Sequence, residues 1–257
     1  MTGRTVIISG GGTGIGFATA GCFDRDGDTT VLVGRRAAVV ERAADRLDHA
    51  VALPADLTDP ADVARVATVV AERWGTVDVL VNAAGGNGSL EPGPEPGPEP
   101  GPASEEPLAA AAHAWTVNFR INTLSAVLLT EALRDRLASP GGRVLFLSSI
   151  AAYRGSGSGA YAASKAALHP YAYDLAGALG PRGITVNLVA PGYIEDTEFF
   201  GGGMSRERRA TLIGQTLGGR PGTPGDVAQT LHWLASHAAG HVTAQSVQVN
   251  GGAERGR

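Results

Sequence analysis

Thr5-Val6-Ile7-Ile8-Ser9-Gly10-Gly11-Gly12-Thr13-Gly14-Ile15-Gly16 is the stretch whose reading decides the fold. Its first residues form a β-branched run with the character of a buried parallel strand. A glycine-rich turn follows, and then a helical pattern through Phe17, Ala18, Ala20 and Phe23. Glycines between a strand and a helix let the backbone turn tightly and approach a pyrophosphate, which the helix N-terminus then stabilises. Gly10, Gly12, Thr13, Gly14, Ile15 and Gly16 are therefore candidate dinucleotide contacts. Taken alone, the turn also fits a plain strand–helix connection.

Working outward, strand and helix keep alternating. Thr29 to Val33 reads as a second strand and leads into Gly34-Arg35-Arg36. In dinucleotide folds a carboxylate at this strand end accepts from the adenine ribose 2′-hydroxyl, whereas arginine accommodates a 2′-phosphate. Arg35 and Arg36 with no acid beside them point to NADP(H) ahead of NAD(H). Val51 to Ala55 is a third strand delivering Asp56-Leu57, and Thr58-Asp59-Pro60 opens a helix to about Trp74. Val77 to Val81 is a fourth strand ending in Asn82-Ala83-Ala84-Gly85. The expected architecture is one α/β domain over residues 1–257, a Rossmann-like doubly wound parallel sheet of about seven strands with helices on both faces. Such sheets bind ligands beyond the carboxyl ends of their strands, where each of these motifs stands.

Composition narrows the function further. At 257 residues the chain can bury a sizeable core. A net charge of −4 offers no cationic footprint for nucleic acid or an anionic membrane. The single cysteine, Cys22, forms no internal disulfide and reads as helix-face core in a reducing compartment. No apolar run reaches the ~18 residues of a membrane span. Met1-Thr2-Gly3-Arg4 runs straight into the first strand without a signal-peptide pattern, so a cytoplasmic protein is expected. No metal site is expected.

Residues 86–107 hold three copies of Glu-Pro-Gly-Pro between Glu91 and Pro102, an insertion expected to be an acidic loop without helix or ladder. A long apolar helix from about Leu108 to Leu137 carries Trp115, Asn118 and Asn122, and Arg143 to Leu147 is a fifth strand closing on Ser148-Ser149. Tyr161-Ala162-Ala163-Ser164-Lys165 then places a phenol and an ammonium on one helix face. Lys165 is the sole lysine among 21 basic residues, standing where a compact ammonium rather than a planar fork is wanted. A nearby cation lowers a phenol pKa from its usual ~10, so Lys165 is expected to acidify Tyr161. Pro170 should kink this helix near 166–169. Ile184 to Val189 is a sixth strand ending in Pro191-Gly192. Residues 198–220, glycine-rich with Phe199, Phe200 and Met204, look like a mobile substrate lid. A capped helix from Thr223 to Ser236 and a strand from Ser246 to Val249 complete the chain.

In this order and spacing the pieces resemble the short-chain dehydrogenase/reductase superfamily over essentially the whole chain. The turn is similar to the family's Thr-Gly-x-x-x-Gly-x-Gly with Ser9 replacing threonine. Asp56-Leu57 resembles the pair that contacts adenine, and Asn82-Ala83-Ala84-Gly85 resembles Asn-Asn-Ala-Gly with one Asn replaced. Asn122 lies seven residues after Trp115, the spacing of the family's active-site asparagine, ahead of Asn118. Pro191-Gly192-Tyr193-Ile194 resembles the segment holding the nicotinamide carboxamide, with Asp196 where a threonine is usual and Thr197 one later. The family serine stands thirteen residues before the tyrosine and is the second of a Ser-Ser pair; here Ser148 meets the first criterion and Ser149 the second. Strand direction rather than loop length aims the side chain, which favours Ser149.

The resemblance implies a catalytic set of Asn122, Ser149, Tyr161 and Lys165. Tyr161 would donate a proton to a ketone oxygen as hydride arrives, and Ser149 would bond that oxygen. Lys165 would also hold the nicotinamide ribose, and Asn122 would position a water linking Lys165 to solvent. Cofactor contacts would come from the glycine turn, Arg35, Arg36, Asp56, Leu57, Asn82, Ala83, Gly85, Tyr161, Lys165, Pro191, Gly192, Ile194 and Thr197. Ser149, Tyr153, Tyr193, Phe199 and Phe200 would face the substrate. The implied activity is NADPH-dependent reduction of a ketone, of 3-oxoacyl or natural-product type, by a homotetramer or homodimer. An NAD-dependent alcohol or sugar dehydrogenase and a non-catalytic NADP-binding protein are the alternatives.

Overall fold

The computed structural model describes residues 3–88, 106–200 and 204–255. The Glu-Pro-Gly-Pro repeats, residues 201–203 of the expected lid and the side chain of Phe200 lie outside the described residues.

Seven parallel strands form one sheet in the order β3-β2-β1-β4-β5-β6-β7. They are β1 (Thr5–Ser9), β2 (Thr29–Gly34), β3 (Ala50–Pro54), β4 (Val79–Asn82), β5 (Arg143–Leu147), β6 (Thr185–Pro191) and β7 (Ser246–Val249). The order reverses direction between β1 and β4, so the loops after those strands diverge and leave a crevice at the carboxyl edge. Successive residues of a strand face opposite sides. Ile7, Val31, Leu80, Val144 and Phe146 accordingly share one core with helices α3 (Pro60–Arg73), α5 (Ser125–Leu133) and α8 (Leu168–Leu179). Their neighbours Val6, Ile8, Leu32, Val81 and Leu145 share the other with α1 (Gly14–Arg25) and α10 (Pro224–Leu234).

Local chemistry sets the helix ends. Asp59 caps α3 by accepting from the Ala61 N–H, with Pro60 in the first turn. Thr223 and Asp226 form a reciprocal capping box on α10. The long apolar helix is α4 (Glu106–Phe119) continuing into α5 through a π-helical turn at Arg120–Leu124, which sequence periodicity did not resolve. The helix carrying Tyr161 is α7 (Gly159–Ala166), and it breaks at Ala167 before α8, three residues ahead of Pro170. The expected lid contains a regular helix, α9 (Arg206–Gly214), capped by Ser205 accepting from the Arg208 N–H.

Candidate active site

Every strand end of the crevice opens on one cavity of ≈ 1160 Å³. A drug-sized ligand pocket is usually ~300–1,000 Å³, so this one has room for a dinucleotide and a second molecule.

The first wall is the glycine turn. Gly10 adopts φ +67°, in the left-handed region, and a Cβ there would press on Ala84 of the neighbouring turn. A Cβ on Gly16 would strike the Gly10 carbonyl, so the helix can begin this close to the strand only without a side chain. Ser9 braces the same corner, its hydroxyl accepting from the Ala84 N–H at 3.1 Å. Thr13 caps α1 by position but makes no side-chain cap bond. The start of α1 lines the cavity with no acid in its first turn, so this end suits an anion.

Arg35 and Arg36 line the cavity beyond β2, with Asp56 and Leu57 next to them. The Arg36 guanidinium is ion-paired with Glu198. Ala83, Gly85, Pro191, Gly192, Ile194 and Thr197 line the stretch toward the sheet centre. Asp196 takes the left-handed region at φ 57°, which aspartate tolerates. The chain turns there, and Thr197 rather than Asp196 lines this cavity.

Tyr161, Lys165 and Ser149 come together on the same wall. The Ser149 hydroxyl lies beside the Tyr161 phenol, whose pKa it lowers, and accepts from the Ala151 N–H at 3.1 Å. Ser148 turns the other way, its hydroxyl 2.7 Å from His169 Nε2 and buried against the Lys165 carbonyl. Lys165 Nζ donates to the Leu147 carbonyl at 2.8 Å, and no described carboxylate is ion-paired with it. Gly85 passes so close that a Cβ would come within 3.0 Å of Nζ.

These contacts reverse the expected electrostatics. Burial pushes the Tyr161 phenol up to about 12, with the Ser149 hydroxyl as a partial offset. Burial also brings Lys165 down to about 8. Desolvation disfavours the charged form of each group, which raises a phenol and lowers an ammonium. The chain's own residues therefore hold Tyr161 as a protonated phenol at neutral pH.

Three sequence candidates sit off the cavity wall. Asn82 is buried and donates to the Thr130 hydroxyl at 3.0 Å, tying β4 to α5. Tyr153 packs its ring on His169, centroids 5.0 Å apart, behind Ser148. Asn122, in the π turn, accepts from the Gly86 N–H and donates to the Gly86 carbonyl, both at 3.0 Å, and to the Asn118 carbonyl. Its carboxamide thus holds the Gly86 backbone, beside Gly85 and Lys165. Tyr193 and Phe199 do line the cavity, and Phe199 packs its ring on that of Tyr161 at 5.1 Å.

Within the expected lid, sequence reading did not single out Arg208 and Leu212 of α9 or Gln215 at its carboxyl end, which also line the cavity. Their i, i+4, i+7 spacing was the available signal, hidden by the glycines around it. Ala253, near the carboxyl terminus, carried no local signal.

With this geometry the likenesses to other proteins are consistent. The family model described as enoyl-(acyl carrier protein) reductase matches residues 10–254. A crystal structure titled short-chain dehydrogenase/reductase SDR: glucose/ribitol dehydrogenase, from Brucella melitensis, superposes with TM-score 0.85 at 28% identity, covering 100% of this chain and 98% of that one. The chain belongs to the short-chain dehydrogenase/reductase superfamily. Within that superfamily it is 29% identical over 253 residues to the 3-oxoacyl-[acyl-carrier-protein] reductase FabG of Escherichia coli, covering 97% of each chain. It is 30% identical over 269 residues to the short-chain reductase protein NovJ of Streptomyces niveus, covering 96% of this chain and 92% of that one. As a short-chain dehydrogenase/reductase it is an NAD(P)-dependent oxidoreductase. No helix among the described residues is long and apolar enough to cross a membrane.

Proposed function

We propose that this enzyme reduces a ketone, of 3-oxoacyl or natural-product type, to a secondary alcohol with NADPH. The observation that carries the reading is that Ser149, Tyr161 and Lys165 line one wall of the cavity, with burial keeping the phenol protonated. Reduction needs a proton donor beside the carbonyl oxygen, whereas alcohol oxidation needs a base. A buried phenol of this kind begins in the donor state. Two O–H groups converge where an oxyanion would develop: Tyr161 transfers its proton, and Ser149 stabilises the charge by hydrogen bonding.

The residues present suit a nicotinamide dinucleotide. The Gly10–Gly16 turn and the start of α1 would hold the pyrophosphate, Arg35 and Arg36 the 2′-phosphate, and Asp56 and Leu57 the adenine. Gly85, Pro191, Gly192, Ile194 and Thr197 would flank the nicotinamide end. The bound cofactor supplies the hydride. Lys165 would meet the ribose and Tyr161, while Asn122 acts as a positioning residue through Gly86. The reductases of Escherichia coli and Streptomyces niveus support a carbonyl substrate. Exposed Trp115 on α4 and Tyr173 on α8 support assembly as a dimer or tetramer through those helices.

The glucose/ribitol dehydrogenase title of the Brucella structure keeps polyol oxidation with NAD as the second reading. A panel of ketones, 3-oxoacyl thioesters, an enoyl thioester and polyols, each with both cofactors, tests the choice. Ketone turnover with NADPH favoured over NADH by about tenfold or more is expected, the worth of one charge-assisted contact. Polyol oxidation with NAD as the fastest reaction would overturn the proposal. Tyr161→Phe should lower kcat by about 10²-fold or more while leaving NADPH affinity near wild type.

A further inference from the structure

Beyond Tyr161 the cavity ends against α9, and its charges there are one-sided. Arg208 and Leu212 on that helix and Gln215 just past its end line the cavity. Arg154, closing the short helix α6 (Ala151–Arg154), faces them across the mouth. Its guanidinium donates to Gln215 Oε1 at 2.7 Å and to the Ala253 carbonyl at 2.8 Å, so it is held in place by neutral acceptors. Arg208 is ion-paired with no carboxylate among the described residues. Arg209, the next residue, lies off this cavity and pairs with Glu195 at 2.7 Å. The cavity's own acids are committed elsewhere. Asp56 accepts from the Thr58 N–H and hydroxyl at the adenine end, and Glu198 pairs with Arg36.

Arg208 and Arg154 thus line the cavity without pairing to either of its acids, Asp56 and Glu198. Both guanidiniums are exposed at the rim of the cavity; without an acid each is half of a charge-assisted pair that a ligand oxyanion completes. Seven residues separate Arg208 from Gln215, about 10 Å along the helix, which sets the spread of the two cations.

Resting on the ketoreductase reading above, we propose that the ketone substrate bears an anionic group, a carboxylate or phosphate remote from its carbonyl, bound by Arg208 and Arg154. Phe199 and Leu212 supply the apolar stretch between that group and the reacting carbon. Arg154 serves twice, since its bonds to Gln215 and Ala253 also fasten α9 and the carboxyl-terminal segment over the site.

Two matched substrate pairs test this with NADPH held constant. One pair is an oxo acid with a distal carboxylate and its methyl ester; the other is a 3-oxoacyl thioester of phosphopantetheine and of dephosphorylated pantetheine. At least one pair should show kcat/KM higher for the anionic member by about tenfold, mainly through KM. That ratio should fall toward one in Arg208→Gln, be partly kept in Arg208→Lys, and shrink with added salt. The pair that shows it tells carboxylate from phosphate. Equal efficiency within both pairs, or a ratio unmoved by Arg208→Gln, overturns the inference and leaves ketone reduction standing. If no member of either pair is reduced, the ketoreductase reading fails and this inference with it.

Discussion

Glu198, on the 3₁₀ turn Glu198–Phe200 over the cavity, is ion-paired with Arg36 just past the end of β2, 162 residues away in sequence. The pair joins the segment that covers Tyr161, through Phe199, to the place where a ribose 2′-phosphate would lie. Both side chains are more than half exposed, 53% and 60%, so the pair adds little to stability. Its consequence is competition. In the proposed NADPH complex a 2′-phosphate would compete with the Glu198 carboxylate for Arg36, whereas a 2′-hydroxyl would not.

Glu198→Gln should therefore tighten NADPH several-fold, roughly the 0.5–1 kcal/mol of an exposed charge pair, and change NADH affinity less. Fluorescence titration of the two reduced cofactors measures both. Tighter NADH alone would contradict it.

Ser148 and Ser149 are adjacent but face opposite partners. Ser149→Ala removes the hydroxyl beside Tyr161 and should cut kcat by about 10²-fold at nearly unchanged melting temperature. Ser148→Ala leaves His169 and the Lys165 carbonyl without their hydroxyl. It should cost about 1–2 kcal/mol of stability and keep kcat within a few-fold. Steady-state rates and denaturant midpoints on both variants decide; the reverse pattern would assign the reaction to Ser148.

Lys165 is buried without an acid, and its pKa falls from 10.5 to about 8. Between those values the unfolded chain binds more protons than the folded one, so stability rises with pH across that window. Below pH 8 the full penalty is present, about 3 kcal/mol at ~1.4 kcal/mol per unit. Lys165→Met should accordingly raise the denaturation midpoint at pH 7, abolish that pH dependence and lose turnover. An unchanged or lower midpoint would show that the Leu147 hydrogen bond outweighs desolvation.

Asp226 completes the capping box of α10, and the Arg220 guanidinium with the Thr223 N–H holds its carboxyl below the usual carboxylate range. A depressed carboxylate contributes stability above its unfolded pKa of ~3.9 and loses it as pH falls further. Asp226→Asn should cost about 1 kcal/mol at pH 7, and the gap to wild type should narrow below pH 4. Urea titrations at pH 7 and 3 provide the comparison; a gap constant with pH would assign the loss to packing.

The seven strands, their parallel arrangement and the crevice at their carboxyl ends follow from short-range features of the chain. β-Branched runs such as Val6-Ile7-Ile8, glycines at Gly10 and Gly16, and caps at Asp59 and Thr223 act within a few residues. Each is therefore legible where it stands in the sequence. Which neighbour of a Ser-Ser pair meets the phenol depends on the direction of β5 against α7, and Tyr153 is drawn to His169 across two helices. The π turn that aims Asn122 at Gly86 and the inward face of α9 are likewise products of packing between distant segments. The phenol's proton affinity belongs to the same group, because desolvation measures how completely the whole fold closes around an atom. The sequence by itself determined the chain's layout and the kind of chemistry it carries; only tertiary packing decided which atoms meet and how strongly each holds its proton.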